Sequence, residues 1–274
     1  MKIKKEYTFT NNRPIWRVIP TDTGKLVIED RNTETKEAFF SCINIESGEH
    51  ILRNYQLEEK FWIGIEVIYK DIIFFYKYAR PDMPQHKGLI AFDINKQKIL
   101  WENTDYSFLF MNEGQIYCYT QQFEGRHYFV LDYLSGDIIM DMGNNSDRIN
   151  LIKNETQKNN EFEGYKFPEI YYHEENLLPV TKILHDLKTE KVIVGQLDYI
   201  EYEKIVLAGT FEPNDSGTLN NIFRAIDIVS GKVIFEEVLN KQARTPIPES
   251  FFMKNNFIFL LKEKTKLLVC AVNK

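Results

Sequence analysis

One hairpin-like segment occurs five times in this chain and constrains its fold more than any other feature. In residues 87–102, KGLIAFDINKQKILWE, an apolar run ends in Asp93, a short polar turn follows, and a second run reaches Trp101. Two such runs around a tight turn predict an antiparallel β-hairpin. The other copies are FFSCINIESGEHIL (39–52), YFVLDYLSGDIIM (128–140), KILHDLKTEKVIV (182–194) and FRAIDIVSGKVIF (223–235).

The spacing of the copies indicates the kind of repeat. The polar residues that end the first strand of successive copies lie 49, 39, 54 and 41 residues apart. Repeats of about 40 to 50 residues with four short strands each are typical of β-propeller blades. The aligned polar residues are Asn44, Asp93, Asp132, Asp186 and Asp227.

Two further positions of the repeat support this prediction. Glycine stands at the end of three of the five turns, as Gly48, Gly136 and Gly231, where it adopts a positive φ without steric cost. One bulky apolar residue also recurs at a fixed offset in the second strand, and we expect it to pack between neighbouring sheets. These residues are Leu52, Trp101, Met140, Val194 and Phe235.

The motif, a strand ending in Asp followed by a turn of the type xxTGK and an apolar or Trp-bearing strand, resembles the repeat of quinoprotein-like propellers (the PQQ-type repeat). LIAFDINKQKILW and FRAIDIVSGKVIF are the copies most similar to it. The resemblance implies a fold far more than an activity. Quinone-dependent dehydrogenases of that superfamily place an adjacent cysteine pair at their cofactor, and this chain has no such pair, so no cofactor is expected. The chain is also similar to small bacterial propeller-like proteins known only as domains of unknown function.

We therefore predict an all-β fold, a six-bladed β-propeller of four-stranded antiparallel blades, in which residues 1–274 form a single domain. Three strand-like runs follow Pro248, and residues 3–10 read as a strand without a partner. We expect residues 3–10 to complete the last blade, because closure removes exposed sheet edges. The fourth blade is the least regular, with strands expected at 148–153, 167–173, 180–187 and 191–194. The alternative is seven blades, with an extra degenerate blade within residues 148–187.

Composition and charge exclude several classes of function. The net charge of −6, with lysine and glutamate interspersed, argues against nucleic-acid binding, which needs a clustered basic face. No apolar run is long enough to span a membrane, and the N-terminus lacks the apolar segment of a secretory signal. Single cysteines at Cys42, Cys118 and Cys270 fit a reducing compartment. We expect a cytoplasmic protein, monomeric, with no membrane partner.

The sequence contains no recognisable catalytic motif. The five histidines show no metal-ligand spacing, and the chain has no GxSxG elbow, phosphate-binding glycine loop or CxxC pair. We therefore predict no catalytic residue, and the sequence does not specify a metal.

One candidate site follows from the geometry of a propeller, in which the inner strand of each blade begins at the mouth of the central channel. Five carboxylates at such positions would suit a calcium ion, which prefers oxygen ligands. The alternative is that polar residues simply populate the turns. The predicted channel-mouth residues are Arg13, Glu59, Asp105, Asp147, Asp198 and Glu249.

A second candidate site lies on the loops between the second and third strands, because propellers commonly recognise partners through longer loops gathered on one face. The alternative is that these loops only tolerate insertions. The predicted loop-face residues are Tyr78, Arg80, Asp82, His86, Phe211 and Asp215.

Two functions of different classes follow from these sites. The first is a non-catalytic propeller that binds a protein, a peptide or another ligand through the loop face. The alternative is a divalent-cation-dependent hydrolase or lyase of small molecules, with its site at the channel mouth. The absence of a catalytic motif favours the first.

Overall fold

The computed structural model describes residues 1–80, 83–157, 163–172, 178–246 and 250–273, without the side chains of Arg80, Pro84 and Gln157. These residues form two compact units. The middle unit is Ile15–Glu161, and the terminal unit combines Met1–Pro14 with Phe162–Lys274. Neither of the two helices in the described ranges has the length and apolar character needed to cross a membrane.

The strands of the described ranges are short and follow one another closely along the chain. The first thirteen are β1 (Lys2–Thr10), β2 (Ile15–Pro20), β3 (Lys25–Asn32), β4 (Glu37–Asn44), β5 (His50–Tyr55), β6 (Ile63–Tyr69), β7 (Ile72–Arg80), β8 (Met83–Asp93), β9 (Lys98–Asn103), β10 (Ser107–Asn112), β11 (Gln115–Gln122), β12 (Gly125–Asp132) and β13 (Ile138–Gly143). Helix α1 (Ser146–Gln157), β14 (Tyr165–Lys166), β15 (Glu169–Ile170) and helix α2 (Pro179–Glu190) come next. The chain continues through β16 (Asp198–Tyr202), β17 (Ile205–Pro213), β18 (Leu219–Asp227), β19 (Val233–Ala243), β20 (Phe251–Lys254), β21 (Phe257–Lys262) and β22 (Lys266–Asn273).

The middle unit contains three antiparallel sheets of four strands, in which neighbours in sequence are neighbours in space. Sheet I is β2-β3-β4-β5, sheet II is β6-β7-β8-β9 and sheet III is β10-β11-β12-β13. Such four-stranded meanders are the units from which β-propellers are built. A buried cluster that includes Phe40 of sheet I and Ile65 and Phe75 of sheet II joins the first two sheets.

The terminal unit contains two sheets of five strands. Sheet IV has the order β15-β16-β17-β18-β19, and sheet V has the order β1-β22-β21-β20-β14. Strand β1 pairs antiparallel with β22, from Lys2 opposite Asn273 to Thr10 opposite Lys266. The prediction that residues 3–10 complete the C-terminal sheet is therefore confirmed.

The repeated hairpin owes its shape to a side-chain acceptor at the end of its first strand. Asp132 Oδ1 accepts the backbone N–H groups of Leu134 and Ser135 at 2.9 and 2.8 Å, and the Gly136 N–H donates to the Asp132 carbonyl. Asn44, Asp93 and Asp227 accept backbone N–H groups in the same way. A short polar side chain that folds back on its own turn explains why Asn or Asp stands at this position.

The repeated apolar residue packs between sheets in part of the chain only. Leu52 is buried in the cluster that joins sheets I and II, and Trp101 of sheet II donates its indole N–H to the Tyr133 carbonyl of sheet III at 3.1 Å. Phe235 packs against the cluster that joins sheets IV and V. Met140 and Val194, in contrast, are 44% and 37% exposed. The expected packing holds for three of the five residues.

The number of blades was predicted wrongly. The described residues form five sheets, so neither the six-bladed ring nor the seven-bladed alternative is correct. The antiparallel sheets of consecutive strands are nevertheless those of a β-propeller-like fold. The error lies in the fourth repeat, where residues 148–153 belong to α1 and residues 180–187 belong to α2. Helix α2 buries Ile183, Leu184 and Leu187, a spacing of three and four residues that is helical, and Pro179 stands in its first turn. The KILHDLKTEKVIV copy is therefore no hairpin.

Glycine 136 offers a test of the packing between sheets II and III. Its φ is +75°, and a Cβ added there would lie 2.6 Å from Cδ2 of Trp101. We expect Gly136→Ala to lower the free energy of unfolding by about 2 kcal/mol more than Gly24→Ala, since overpacking adds to the backbone strain. Gly24 is the matched control, because its φ is +74° and no atom lies within 4 Å of the added Cβ. Equal losses in urea denaturation would show that Trp101 moves away freely.

Deletion of residues 2–10 tests the pairing of β1 with β22. The truncation removes Phe9, which is buried, and leaves β22 as an unpaired edge. We expect a lower melting temperature and loss of hydrogen-exchange protection throughout β21 and β22. The exposed Lys4→Ala substitution is the control and should leave both unchanged. A truncated chain that melts like the full chain would contradict the proposed role of β1.

Candidate functional site

A continuous series of aromatic rings and one guanidinium group crosses the ends of sheets I and II. The Arg31 guanidinium lies 5.4 Å from the ring centroids of both Trp16 and Phe61. Ring centroids are then 5.1 Å apart for Phe61 and Trp62, 5.9 Å for Trp62 and Tyr78, and 5.7 Å for Tyr78 and His86. We call this series the aromatic row; its members are Trp16, Arg31, Phe61, Trp62, Tyr78 and His86.

The first member of the aromatic row projects from a β-bulge. Ile15 pairs with Asp30 and Arg17 pairs with Glu29, so Trp16 is the extra residue between two paired ones. A bulge redirects the side chain that it carries. Trp16 is 60% exposed, which is unusual for an indole and leaves most of its surface open to a ligand.

Arginines of sheet I hold the edge strand of sheet II. Arg31 donates its Nη1–H to the Phe61 carbonyl at 3.0 Å and its Nη2–H to the Ile63 carbonyl. Arg17 donates its Nη1–H to the Ile65 carbonyl at 2.5 Å. Strand β6 lies at the edge of sheet II, so its outward carbonyls have no strand partner within that sheet. The two guanidinium groups supply the missing donors and fix Phe61 beside Arg31.

Glu29 is the counter-charge of Arg31 inside the protein and also lies near Arg17. Its Oε1 accepts the Arg31 Nε–H at 2.6 Å, and its Oε2 lies 4.0 Å from Arg17 Nε. Glu29 is fully buried. Burial raises the pKa of Glu29, and the Arg31 guanidinium acts in the opposite direction. The carboxylate therefore has a structural role, because a buried guanidinium without a counter-charge is strongly destabilising.

The other end of the aromatic row is equally fixed. The His86 ring stacks on Tyr76 with a centroid separation of 3.4 Å, and its Nδ1 lies 2.9 Å from Glu66 Oε2. Tyr76 lies across Gly64, where a Cβ would come within 2.6 Å of the tyrosine hydroxyl, and donates to the Tyr78 hydroxyl at 3.4 Å. Burial, reinforced by Tyr78, raises the pKa of Tyr76. The uncharged ring of Tyr76 thus holds the His86 ring in place by stacking.

An imidazole and a carboxylate are paired at this end of the aromatic row. A carboxylate-held imidazole is half of a general-base site, but catalysis by an activated side chain also needs a nucleophile in contact with it. In the part of the chain that the structure describes, no serine, threonine or cysteine side chain bonds to the His86 ring. The Ser107 hydroxyl donates instead to the backbone carbonyl of His86, at 3.1 Å.

The structure brings two of the predicted loop-face residues together. Tyr78 and His86 face each other across β7 and β8 and belong to the aromatic row. Asp82 and the side chain of Arg80 lie outside the described residues. Phe211 and Asp215 belong to the terminal unit, where Phe211 is buried and Asp215 is exposed in a hairpin turn.

Two of the predicted channel-mouth residues, Glu59 and Asp105, take part in local hydrogen bonds of the middle unit. Glu59 Oε1 accepts the N–H groups of Phe61 and Trp62 at 3.0 and 2.9 Å, and these bonds outweigh burial and lower the pKa of Glu59. Asp105 donates its backbone N–H to Asn103 Oδ1.

The remaining channel-mouth residues are spread over several elements. Asp147 lies in the first turn of α1, so the expected strand there is wrong. Arg13 and Asp198 belong to the terminal unit, and Glu249 lies outside the described residues. Among the residues with described positions, no group of three or more His, Cys, Asp or Glu side chains is arranged to hold a metal ion. The calcium site stays a prediction.

The predictions from sequence missed Trp16, Arg31, Phe61 and Trp62. The adjacent aromatic pair Phe61–Trp62, directly before β6, was a usable signal, as was a tryptophan at the start of β2. Aromatic residues at strand ends are less often buried in the core than those within strands, so they are better candidates for a binding surface.

Comparisons with known proteins indicate no activity. Residues 19–101, less than half of the chain, match a domain of unknown function, DUF4905. No curated protein sequence matches the chain.

Several solved structures resemble the chain at low identity. An uncharacterised protein of Listeria monocytogenes is 11% identical, covering 91% of this chain and 75% of that one, with a TM-score of 0.32. Kluyveromyces lactis Hsv2 is 15% identical over 94% of this chain and 74% of its own, with a TM-score of 0.30. Acinetobacter baumannii TolB is 11% identical over 94% and 55%, with a TM-score of 0.29. Similarity at this level says nothing about the ligands of this chain. The quinoprotein-like resemblance stays a prediction.

The pH dependence of the free energy of unfolding tests the burial of the Asp198 carboxyl group. Burial raises the pKa of Asp198, so its ionisation favours the unfolded chain and the free energy of unfolding falls as pH rises through the folded-state pKa. We expect Asp198→Asn to be more stable than the natural protein at pH 8 and to lose that advantage towards pH 4, measured by urea denaturation.

Asp227→Asn is the matched control of opposite sign. Hydrogen bonds from Ser230 lower the pKa of Asp227, so its contribution to stability is present above the unfolded-state pKa and disappears in acid. Parallel pH dependences for the two variants would show that Asp198 is solvated.

Proposed function

We propose that this protein is a non-catalytic binding protein whose aromatic row recognises an extended segment of another protein. The observation that carries the proposal is the unbroken series of contacts from Trp16 to His86, which begins at a largely exposed indole. Tryptophan, tyrosine and arginine are the residues that dominate the binding energy of protein interfaces.

The size of the aromatic row favours a peptide over a small molecule. Its members are spaced 5.1 to 5.9 Å apart and cross the ends of two sheets. An extended chain advances about 3.3 Å per residue, so a segment of several residues is needed to contact the whole series. A single planar ligand would cover only one or two rings.

The aromatic row is also preorganised. Arg31 is held by Glu29 and two carbonyl groups, and His86 is held by Glu66 and Tyr76. Side chains that are fixed before binding lose little conformational entropy when a ligand arrives. The residues that match DUF4905 include every member of the row except Trp16.

Selection of peptides on the folded protein tests this proposal. Phage-displayed random dodecapeptides would be selected on the full chain, and the affinities of the selected peptides would be measured by fluorescence polarisation. We expect Trp16→Ala to weaken binding about tenfold or more, because it removes the most exposed ring of the row.

Phe123→Ala is the matched control, since Phe123 is a fully exposed aromatic residue on a different hairpin of the middle unit. It should leave the affinities unchanged. Both substitutions are at the surface, and circular dichroism would verify that the variants fold. Selected peptides that bind Trp16→Ala and the natural protein equally would overturn the proposal.

A further inference from the structure

The hydrogen-bonding groups of the aromatic row specify the kind of peptide that it accepts, and this step rests on the proposed function. One oxygen of each carboxylate at the row is already engaged. Glu59 accepts two backbone N–H groups, and Glu66 accepts from His86 when the Nδ1 of that ring carries its proton. Glu29 accepts from Arg31 through Oε1 only, and its Oε2, which has no hydrogen-bond partner among the described residues, is buried and has no surface open to a ligand.

The backbone acceptors at this edge are also engaged. The carbonyl groups of Phe61, Ile63 and Ile65 accept from Arg31 and Arg17. The backbone of this edge therefore offers few free partners to a ligand with many N–H donors, and burying such donors unpaired is costly.

Donors, in contrast, remain available. Within the described ranges, the indole N–H groups of Trp16 and Trp62 have no acceptor, unlike that of Trp101, which donates to a carbonyl. The Tyr78 hydroxyl accepts from Tyr76, so its own hydrogen is free to point outward. The surface thus presents aromatic faces and edges together with N–H and O–H donors.

We propose that the ligand is a proline-rich segment in the polyproline II conformation. Each proline supplies a carbonyl acceptor and has no backbone N–H, which complements a surface that offers donors. The polyproline II helix makes no internal hydrogen bonds, so its carbonyls are free to accept from indole and phenol groups. Its pyrrolidine rings pack between aromatic side chains, and its stiffness lowers the entropy lost on binding.

The other common modes of peptide recognition fit the site less well. Addition of a β-strand needs a free row of backbone groups, but the carbonyls of β6 are taken by Arg17 and Arg31. An amphipathic helix needs an open apolar groove, whereas the aliphatic side chains of Ile63 and Ile65 are fully buried.

Titration with decaproline, a defined probe, tests the ligand class. Trp16 and Trp62 are two of the three tryptophans in the chain, so binding at the row should change the intrinsic fluorescence. We expect a saturable change with decaproline and none with a (Gly-Ser)5 peptide. Trp16→Phe keeps a ring but loses the N–H donor and should weaken binding about threefold to tenfold. Trp16→Ala should weaken it further, and Phe123→Ala should have no effect.

The two proposals fail in distinguishable ways. Selected dodecapeptides that depend on Trp16 but are not enriched in proline, together with no response to decaproline, would overturn the ligand class and leave the binding function standing. Peptides that ignore Trp16, together with no response to decaproline, would overturn both. A decaproline response of equal size in Trp16→Ala and in the natural protein would place the binding elsewhere and contradict this inference.

Discussion

Two arginines from one sheet satisfy the edge carbonyls of the next, and the rest of the candidate site depends on this interaction. An unpaired strand edge is a place where proteins aggregate or exchange strands. Here Arg17 and Arg31 occupy the edge of β6 with side-chain donors, and the buried carboxylate of Glu29 balances the charge of Arg31. The same contacts bring Phe61 against the Arg31 guanidinium. The hydrogen bonds of Arg31 therefore protect the edge of β6 and at the same time position Phe61 in the aromatic row.

The predictable part of the fold is the part governed by local chemistry. The Asn or Asp of each hairpin binds the backbone of its own turn, so four copies were identified from short-range pattern alone. The pairing of β1 with β22 was predictable because residues 3–10 had no partner and only three strand-like runs followed Pro248. The KILHDLKTEKVIV copy matched the repeat in sequence, but its Ile183, Leu184 and Leu187 have a helical spacing that buries one face of α2. A periodicity test over that window would have separated the two.

The candidate site was predicted only in part, and the reason is physical. Tyr78 and His86 were found because they flank a loop. Arg31 was missed because a charged residue near a strand end normally points to solvent, whereas here it is buried by bonds to carbonyls that no sequence pattern reveals. Trp16 was missed because a bulge, which depends on the pairing register, decides which way it points. Both depend on contacts between distant residues.

The turn motif has a consequence for behaviour in acid. In sheet I the residue that closes the repeated hairpin is Asn44, an amide that accepts its two N–H groups whatever the proton concentration. In sheets II and IV the same place is taken by Asp93 and Asp227. Hydrogen bonds from Lys96, which outweigh burial, lower the pKa of the first, and those from Ser230 lower the pKa of the second. Protonation weakens these acceptors, so acid destabilises the hairpin turns at Asp93 and Asp227 in sheets II and IV before it destabilises the turn at Asn44 in sheet I.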